Sequence, residues 1–238
     1  MNDGPRVSIP RLREAFANQL ADLEHRLEDG LERAAVTLPE IADAINAPTP
    51  DKVQTIADEG TRLRRSGRSV DSELVIVTAR QTPVASDLRL VLAMIEVAHH
   101  STLIANQFDL ISEQLINLDP AATDRDGTAT HLSAMTHLAG SQLSHAVRAF
   151  RSRDLAVAMR IDVEDDEIDK LNREVFEAAL AIEDAPQQHE LALRHVLIAR
   201  SVERIADNAV DIAEQAAFLV TAERSEFTDA SIPRHRTL

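Results

Sequence analysis

Two segments of this 238-residue chain, one near its middle and one near its end, share the same apolar frame. The matched positions are Ala98 and Ala199, Ile104 and Ile205, Ala105 and Ala206, and Ile111 and Ile212. Apolar side chains that recur at three- and four-residue spacing are typical of one face of an α-helix. Such a face cannot be buried by one helix alone, so the repeat predicts two related units of packed helices.

The composition and the breaks between periodic segments predict an all-α fold. There are only 6 glycines, aromatic residues make up 3%, and Trp and Tyr are absent. Six long helices are expected, arranged as two tandem three-helix bundles related by the internal repeat. The predicted helices start near Ser8, at Thr49–Asp51, at Pro83, and at 129, 153 and 187; Pro39 is expected to kink or interrupt the first one.

These breaks also predict the division of the chain. The first three-helix repeat is expected over residues 8–118 and the second over residues 129–222. Residues 119–128 are rich in Asp, Thr, Pro and Gly, which favours a linker. Residues 223–238 lose the helical periodicity and are expected to form a mobile C-terminal tail.

The charge narrows the classes of partner. A net charge of −15 repels nucleic acid and anionic membrane surfaces, and favours metal cations and basic protein surfaces. The absence of cysteine excludes disulfides, thiolate metal sites and cysteine nucleophiles. No apolar run has the length of a membrane span, and no secretory signal is visible at the N-terminus, so a cytoplasmic protein is expected.

An acidic stripe is present in one copy of the repeat and missing from the other. Glu203 and Asp207 lie four residues apart on one helical segment, whereas the matched positions in the first copy hold Thr102 and Asn106. Asp165 and Asp169 form a similar pair on the preceding segment. Two facing carboxylate pairs would make an oxygen-rich site for Fe, Mn, Mg or Ca; Zn is a weaker candidate without Cys or a nearby His. The alternative is a solvated acidic face with Arg200 and Arg204 as ion-pair partners.

Three motifs resemble those of the PhoU family of phosphate-transport accessory proteins. The segment from Gln81 to Arg89 reads QTPVASDLR and resembles the family's Gln-Gln-Pro-Val-Ala-x-Asp-Leu-Arg. The segment from Glu203 to Glu214 is similar to the family's Glu-Arg-Ile-Gly/Ala-Asp-His-Ala-x-Asn-Ile-Ala-Glu. The acidic run from Glu164 to Leu171 looks like the segment on the preceding helix. The resemblance covers about residues 8–222 in the family's order.

The resemblance implies a regulatory adaptor and no catalysis of its own. It implies negative regulation of phosphate uptake and of phosphate-starvation signalling, through contact with the phosphate transporter ATPase and/or a sensor histidine kinase. The protein would be cytoplasmic, peripheral to the membrane only through its partners, and able to form a homodimer. Family members bind metal clusters through Glu/Asp-x-x-x-Asp motifs, one set per repeat. Here that implies one Fe, Mn, Mg or Zn site, at Asp165, Asp169, Glu203 and Asp207.

Other polar residues have both structural and functional interpretations. Asp87 and Arg89, with Arg200 and Arg204, are predicted partner-binding residues; alternatively, Asp87 only complements the N-terminal dipole of its helix. Glu96 and His99 have the Glu-x-x-His spacing of di-iron bundles, but no second copy exists, so ordinary exposed helical histidines are expected at 99 and 100. The alternative functions are a carboxylate metal-binding protein with a storage, sensing or redox role, and a helical scaffold unrelated to phosphate.

Overall fold

A computed structural model describes residues 9–119, 127–182 and 186–224, and in these ranges the chain contains helices and no strand. The helices are α1 (Ile9–Asn46), α2 (Pro50–Gln81), α3 (Ala85–Ile116), α4 (Thr128–Ser152), α5 (Leu155–Ala158), α6 (Ile161–Leu180) and α7 (Pro186–Thr221). Six of them are long, as the repeat predicts, so the all-α fold class is confirmed. Most of the predicted linker (120–126) and tail (225–238) lies outside the described residues.

The six long helices pack as two related sets. Helices α1, α2 and α3 pack against one another, and α4, α6 and α7 do the same. The two sets meet along two seams, one between α1 and α4 and one between α3 and α7. A single apolar core of Leu, Ile, Val, Ala and a few Phe residues runs through both sets. The repeated apolar faces therefore bury one another. The division of the chain into repeats at residues 8–118 and 129–222 stays a prediction.

Helix α1 passes through Pro39 without the predicted interruption. The α1–α4 seam explains why the helix continues. A Cβ atom on Gly140 of α4 would lie 2.7 Å from the Ala35 carbonyl oxygen and 3.2 Å from Cδ of Pro39. The glycine lets α4 approach α1 closely at the proline, and the buried neighbours Leu38 and Ile41 hold this part of α1 in the core.

Two of the predicted helix boundaries are wrong for local reasons. Pro83 does not open α3, which begins at Ala85. Thr82, directly before the proline, and Ala85, two residues after it, adopt positive φ angles of 47° and 50°. The single helix predicted over 153–183 is broken. Arg153 is left-handed, and the side chain of Asp154 accepts hydrogen bonds from the backbone N–H groups of residues 156 and 157, which starts α5.

Helix α3 is the one described helix long and apolar enough, by length and composition, to cross a membrane. Many of its apolar side chains, among them Met94, Ile104, Phe108 and Ile111, are buried in the core, whereas Leu110 and Ile116 remain exposed. Packing against α2 within its own repeat and against α7 of the second repeat accounts for this apolar character.

Candidate functional site: carboxylates and a groove beside helix α7

Three of the four predicted metal ligands are buried. Asp165 and Asp169 on α6 and Glu203 on α7 are each less than 10% exposed, whereas Asp207 is exposed. The amide of Gln142 on α4 donates a 3.0 Å hydrogen bond to Asp165 Oδ1. Asp165 is therefore held towards α4.

Asp169 and Glu203 interact across the contact between α6 and α7. Burial raises the pKa of Glu203 above its usual value, and the charge of Asp169 raises it further. The Arg200 guanidinium, which forms an ion pair with Glu203, opposes this rise in pKa, as does a hydrogen bond with the Asn172 side chain. Arg173 lies 3.9 Å from Asp169. The two carboxylates thus have arginine and amide neighbours besides each other.

The predicted four-carboxylate metal centre stays a prediction. Within residues 9–119, 127–182 and 186–224, no group of three or more His, Asp or Glu side chains is arranged to hold a metal ion. Asp169 and Glu203 are the pair whose charges interact, and they could supply two carboxylate ligands. Asp165 and Asp207 would have to turn towards them to complete a site with the usual six or more oxygens of a hard cation.

The first repeat carries a different set of groups at the equivalent place. Three buried apolar residues of α2 match three buried residues of α6 and fix the correspondence: Ile56 with Ile161, Leu63 with Ile168, and Val70 with Val175. By this register Gly60 stands where α6 has Asp165, and Arg64 stands where it has Asp169. An acidic pair in one repeat is thus a glycine and an arginine in the other.

Arg64 supplies a fixed positive charge between α2 and α3. Its guanidinium donates to the Ala105 carbonyl oxygen at 3.1 Å, to Asn106 Oδ1 at 3.4 Å, and to the Asp109 carboxylate. Thr102, at the position of Glu203, donates its hydroxyl to the Ala98 carbonyl of its own helix. The first repeat therefore balances its one nearby carboxylate with an internal guanidinium.

Close packing of α2 on α3 also excludes a carboxylate at position 60. A Cβ atom on Gly60 would lie 2.8 Å from Cβ of Phe108 and 3.2 Å from the Ala105 carbonyl oxygen. A Cβ atom on Gly67 would lie 3.0 Å from the Ala98 carbonyl oxygen. These contacts are closer than side chains normally make, so the two glycines set the distance between the helices.

The predicted partner-binding residues occupy two separate places. Asp87 and Arg89 lie in the first turns of α3, with Asp87 at the N-terminal end of the helix. Arg200 and Arg204 are exposed on α7 and line a groove beside Gln107 of α3. Gln107 is about 27 Å along α3 from Arg89 at 1.5 Å per residue. The two pairs do not form one patch.

This α3–α7 groove consists of two adjoining cavities, of about 470 Å³ and 230 Å³. Both are lined by Gln107, Arg200 and Arg204. The larger one is further lined by Leu103, Glu203, Asp207 and Asn208, and the smaller one by Leu110, Gln114, Leu197 and Ser201. The groove was not predicted, although Gln107 and Asn208 match each other in the repeat as polar residues within an otherwise apolar frame.

His100 is not an exposed histidine, as the sequence suggested, but lies in the seam between α3 and α7. Its Nδ1 atom is 2.9 Å from Asn208 Oδ1 and 3.4 Å from Asp211 Oδ2. Burial raises the pKa of Asp211; the nearby His100 opposes this rise, and the charge of Glu96 adds to it. Exposure of His100 was predicted from one helix, and the packing of α7 against that helix makes the prediction wrong.

Comparison with known proteins shows which family this arrangement resembles. Residues 132–216 match the family model of the PhoU domain. Residues 132–216 are therefore similar to a PhoU domain. The resemblance seen in the three sequence motifs is confirmed, and the matched residues include the Asp165, Asp169, Glu203 and Asp207 positions.

Relatives of the PhoU domain extend the similarity to the first repeat. The chain is 26% identical to "Phosphate-specific transport system accessory protein PhoU homolog 1" of Mycobacterium leprae, over 94% of this chain and 100% of that protein. It is 24% identical to the protein of the same name from Methanothermobacter thermautotrophicus, over 88% of this chain and 95% of that one.

Solved structures agree in fold. The crystal structure of PhoU from Pseudomonas aeruginosa matches with a TM-score of 0.75 and 21% identity, over 88% of this chain and 99% of that one. The regulatory protein PhoU from Streptococcus pneumoniae matches with a TM-score of 0.74 and 19% identity, over 89% and 100%. At this level of identity these likenesses show the fold alone.

Proposed function

We propose that the protein is a PhoU-type regulatory adaptor of phosphate transport. It would repress phosphate uptake and phosphate-starvation signalling by contacting the phosphate transporter, a sensor histidine kinase, or both. The observation that carries this proposal is the match along nearly the whole length of relatives named as accessory proteins of phosphate-specific transport.

The structure supports an adaptor because its two repeats are fixed to each other by charged contacts as well as by the core. On the α1–α4 seam, Arg151 donates a 2.8 Å hydrogen bond to the buried Glu28, and Arg153 forms an ion pair with Glu24. Ser144 donates to Glu32 at 2.8 Å. A rigid body with two bundles can present two surfaces at a constant distance, which suits a protein that links two partners.

Deletion of the gene tests the adaptor function. In cells grown with abundant phosphate, loss of the protein should raise expression of a phosphate-starvation promoter, and the full-length chain supplied in trans should restore repression. Unchanged expression in the deletion strain would contradict the proposal. Purification of the full-length protein from crosslinked cells should recover the transporter ATPase or the kinase, and recovery of neither would contradict the proposed contact.

A metal-binding role is the second candidate function, favoured by the facing Asp169 and Glu203 carboxylates. Two buried like charges are costly unless a cation or a proton neutralises them. Fe, Mn, Mg or Zn held here would add ligand bonds between α6 and α7 and would stiffen the second repeat. Elemental analysis of full-length protein purified without chelators is the direct test, because a structural site would retain about one metal per chain or more.

A further inference from the structure

The α3–α7 groove has the length of a short helix. Its lining on α7 extends from Leu197 to Asn208, which corresponds to about 16 Å, or three helical turns. The two cavities share three residues and so form one continuous depression. A peptide helix of about three to four turns could lie along it, parallel to the seam between the repeats.

One half of the groove offers apolar surface. Leu110 on α3 and Leu197 on α7 face each other across the smaller cavity and remain 47% and 45% exposed. Leu193, one turn before Leu197 on α7, is 59% exposed. Large apolar side chains clustered at this exposure are typical of a surface that a partner covers.

The charged and polar groups of the groove restrict the chemistry of its occupant. In the smaller cavity the charged lining residues are Arg200 and Arg204. Arg200 already pairs with Glu203, whereas Arg204 makes no ion pair with any carboxylate in the described ranges. Gln107 is 7% exposed, and its Oε1 atom has no hydrogen-bond partner among the described residues. The groove therefore lacks an anion at Arg204 and a donor at Gln107.

We propose that the α3–α7 groove binds an amphipathic helix of a partner protein. The apolar side of that helix would cover Leu110 and Leu197, and a carboxylate would pair with Arg204. The Gln107 amide, whose Oε1 atom is shielded from solvent, would turn outward to accept from a side-chain donor of the helix. This inference rests on the proposed adaptor function, for which it names a contact surface and the chemistry of the partner segment.

The overall charge of the chain makes such a site selective. At a net charge of −15 most of the surface repels an acidic segment. A helix that carries carboxylates is therefore expected to bind only in the groove, where the guanidinium of Arg204 lies beside the apolar surface of Leu110 and Leu197. Asp207, at the far end of the larger cavity, would in addition favour a basic residue at one end of the bound helix, which sets the direction in which it lies.

Site-specific photocrosslinking in cells tests this assignment with the full-length protein. The photoreactive residue p-benzoylphenylalanine is introduced in place of Leu110 or of Leu197. A matched control carries it in place of Leu180, which is 71% exposed on α6 and outside the groove. After irradiation of cells grown with abundant phosphate, mass spectrometry identifies the crosslinked segment.

The expected result is that positions 110 and 197 crosslink to the same partner segment and that position 180 does not. That segment should have helical apolar periodicity and contain at least one Asp or Glu. No crosslink at 110 and 197, a segment without a carboxylate, or a second copy of this chain would each overturn the proposal. If deletion of the gene derepresses starvation genes while these crosslinks fail, the groove assignment alone is wrong. If the segment belongs to a protein unrelated to phosphate, the groove assignment stands and the adaptor function is wrong.

Charge reversal provides the second measurement. Arg204→Glu should reduce the crosslink from position 197 at least tenfold, and replacing the partner's carboxylate by Lys should restore it. Arg68→Glu is the matched control, because Arg68 is exposed on α2 and lies outside the groove. An unchanged yield with Arg204→Glu, or an equal loss with Arg68→Glu, would contradict a direct pairing at Arg204.

Discussion

The α2–α3 contact of the first repeat and the α6–α7 contact of the second have the same apolar register but differently charged side chains. In the first, Arg64 places a guanidinium beside Asn106 and Asp109, and Gly60 lets the helices approach closely. In the second, Asp169 and Glu203 bring two carboxylates together at low exposure. The apolar positions stabilise the fold in both repeats. The polar positions beside them can therefore differ, with an arginine–carboxylate pair in the first repeat and two carboxylates in the second.

The difference implies that only the second repeat has a use for an added cation. Arg64 already provides the positive charge that a metal ion would otherwise bring between α2 and α3. Between α6 and α7, Arg173 and Arg200 lie beside Asp169 and Glu203, yet the pKa of Glu203 stays raised by burial.

The largest effect is expected from making the first repeat resemble the second at position 60. Gly60→Asp would place a Cβ atom 2.8 Å from Cβ of Phe108 and would bury a carboxylate, so the free energy of unfolding should fall by about 3 kcal/mol or more. Urea unfolding followed by circular dichroism measures it. Gly30→Ala is the control, because its nearest contact is a flexible leucine methyl at 3.3 Å. Wild-type stability of Gly60→Asp would show that the first repeat can accept the acidic pattern.

The second largest effect is expected from adding metal, which should stabilise the second repeat and leave the first unchanged. If the second repeat binds Mn²⁺ or Fe²⁺, a metal concentration a hundred times the dissociation constant raises the free energy of unfolding by about 2.7 kcal/mol. Thermal unfolding of metal-free protein, with and without metal, measures this gain. Asp169→Asn with Glu203→Gln should abolish the gain, whereas Thr102→Glu with Asn106→Asp should not add a second one while Arg64 remains. An equal gain in the Asp169→Asn, Glu203→Gln variant would place the metal elsewhere.

A smaller effect is expected when the internal guanidinium is removed. Arg64→Met deletes the hydrogen bonds to Ala105 and Asn106 and the pairing with the half-exposed Asp109, and should lower the free energy of unfolding by about 1 kcal/mol. Arg68→Met, at an exposed position of the same helix, should change it by less than about 0.5 kcal/mol. Equal values for the two variants would mean that Arg64 contributes no more than a surface arginine.

The smallest effect concerns the pH dependence of the acidic pair. Because the pKa of Glu203 is raised in the folded protein, the folded state binds its proton more tightly than the unfolded state does. In metal-free protein this group therefore lowers stability as pH rises from the usual glutamate pKa through the raised one. Glu203→Gln should flatten the stability profile over this interval and raise stability above it. A profile identical to wild type, measured by thermal unfolding from pH 4 to 8, would contradict the raised pKa.

Helical periodicity predicted much of the fold. Its errors arose where a neighbouring helix or a single backbone angle decides the local structure. The apolar frame common to residues 98–111 and 199–212 placed α3 and α7, because a period of three to four residues is a property of one helix. Periodicity could not show that α4 packs closely on α1 at Pro39 and Gly140, or that Asp154 caps a new helix after Arg153. The first depends on a neighbouring helix, and the second on one backbone angle.

The candidate site could be predicted only in part, because residue spacing describes one helix and not its contacts with other helices. Spacing of four residues placed Glu203 and Asp207 one turn apart on α7, where both line the groove, but it could not assign burial: Glu203 is buried and Asp207 is exposed. Gln107 was missed as a groove residue and His100 as a seam residue because the other side of the groove and the Asp211 carboxylate lie on a helix of the other repeat.

The long helices, the repeat and the loss of acidic residues at 102 and 106 could be found without a structure, since each is a pattern along one chain. Packed helices were needed to show that Arg64 takes the place of Asp169, that the charges of Asp169 and Glu203 interact, and that α3 and α7 leave a groove lined by arginine and leucine. The physical reason is that burial, pKa and ion pairing depend on distances between helices. Those distances are set by the size of residues such as Gly60 and Gly67 at the contacts, which no periodicity records.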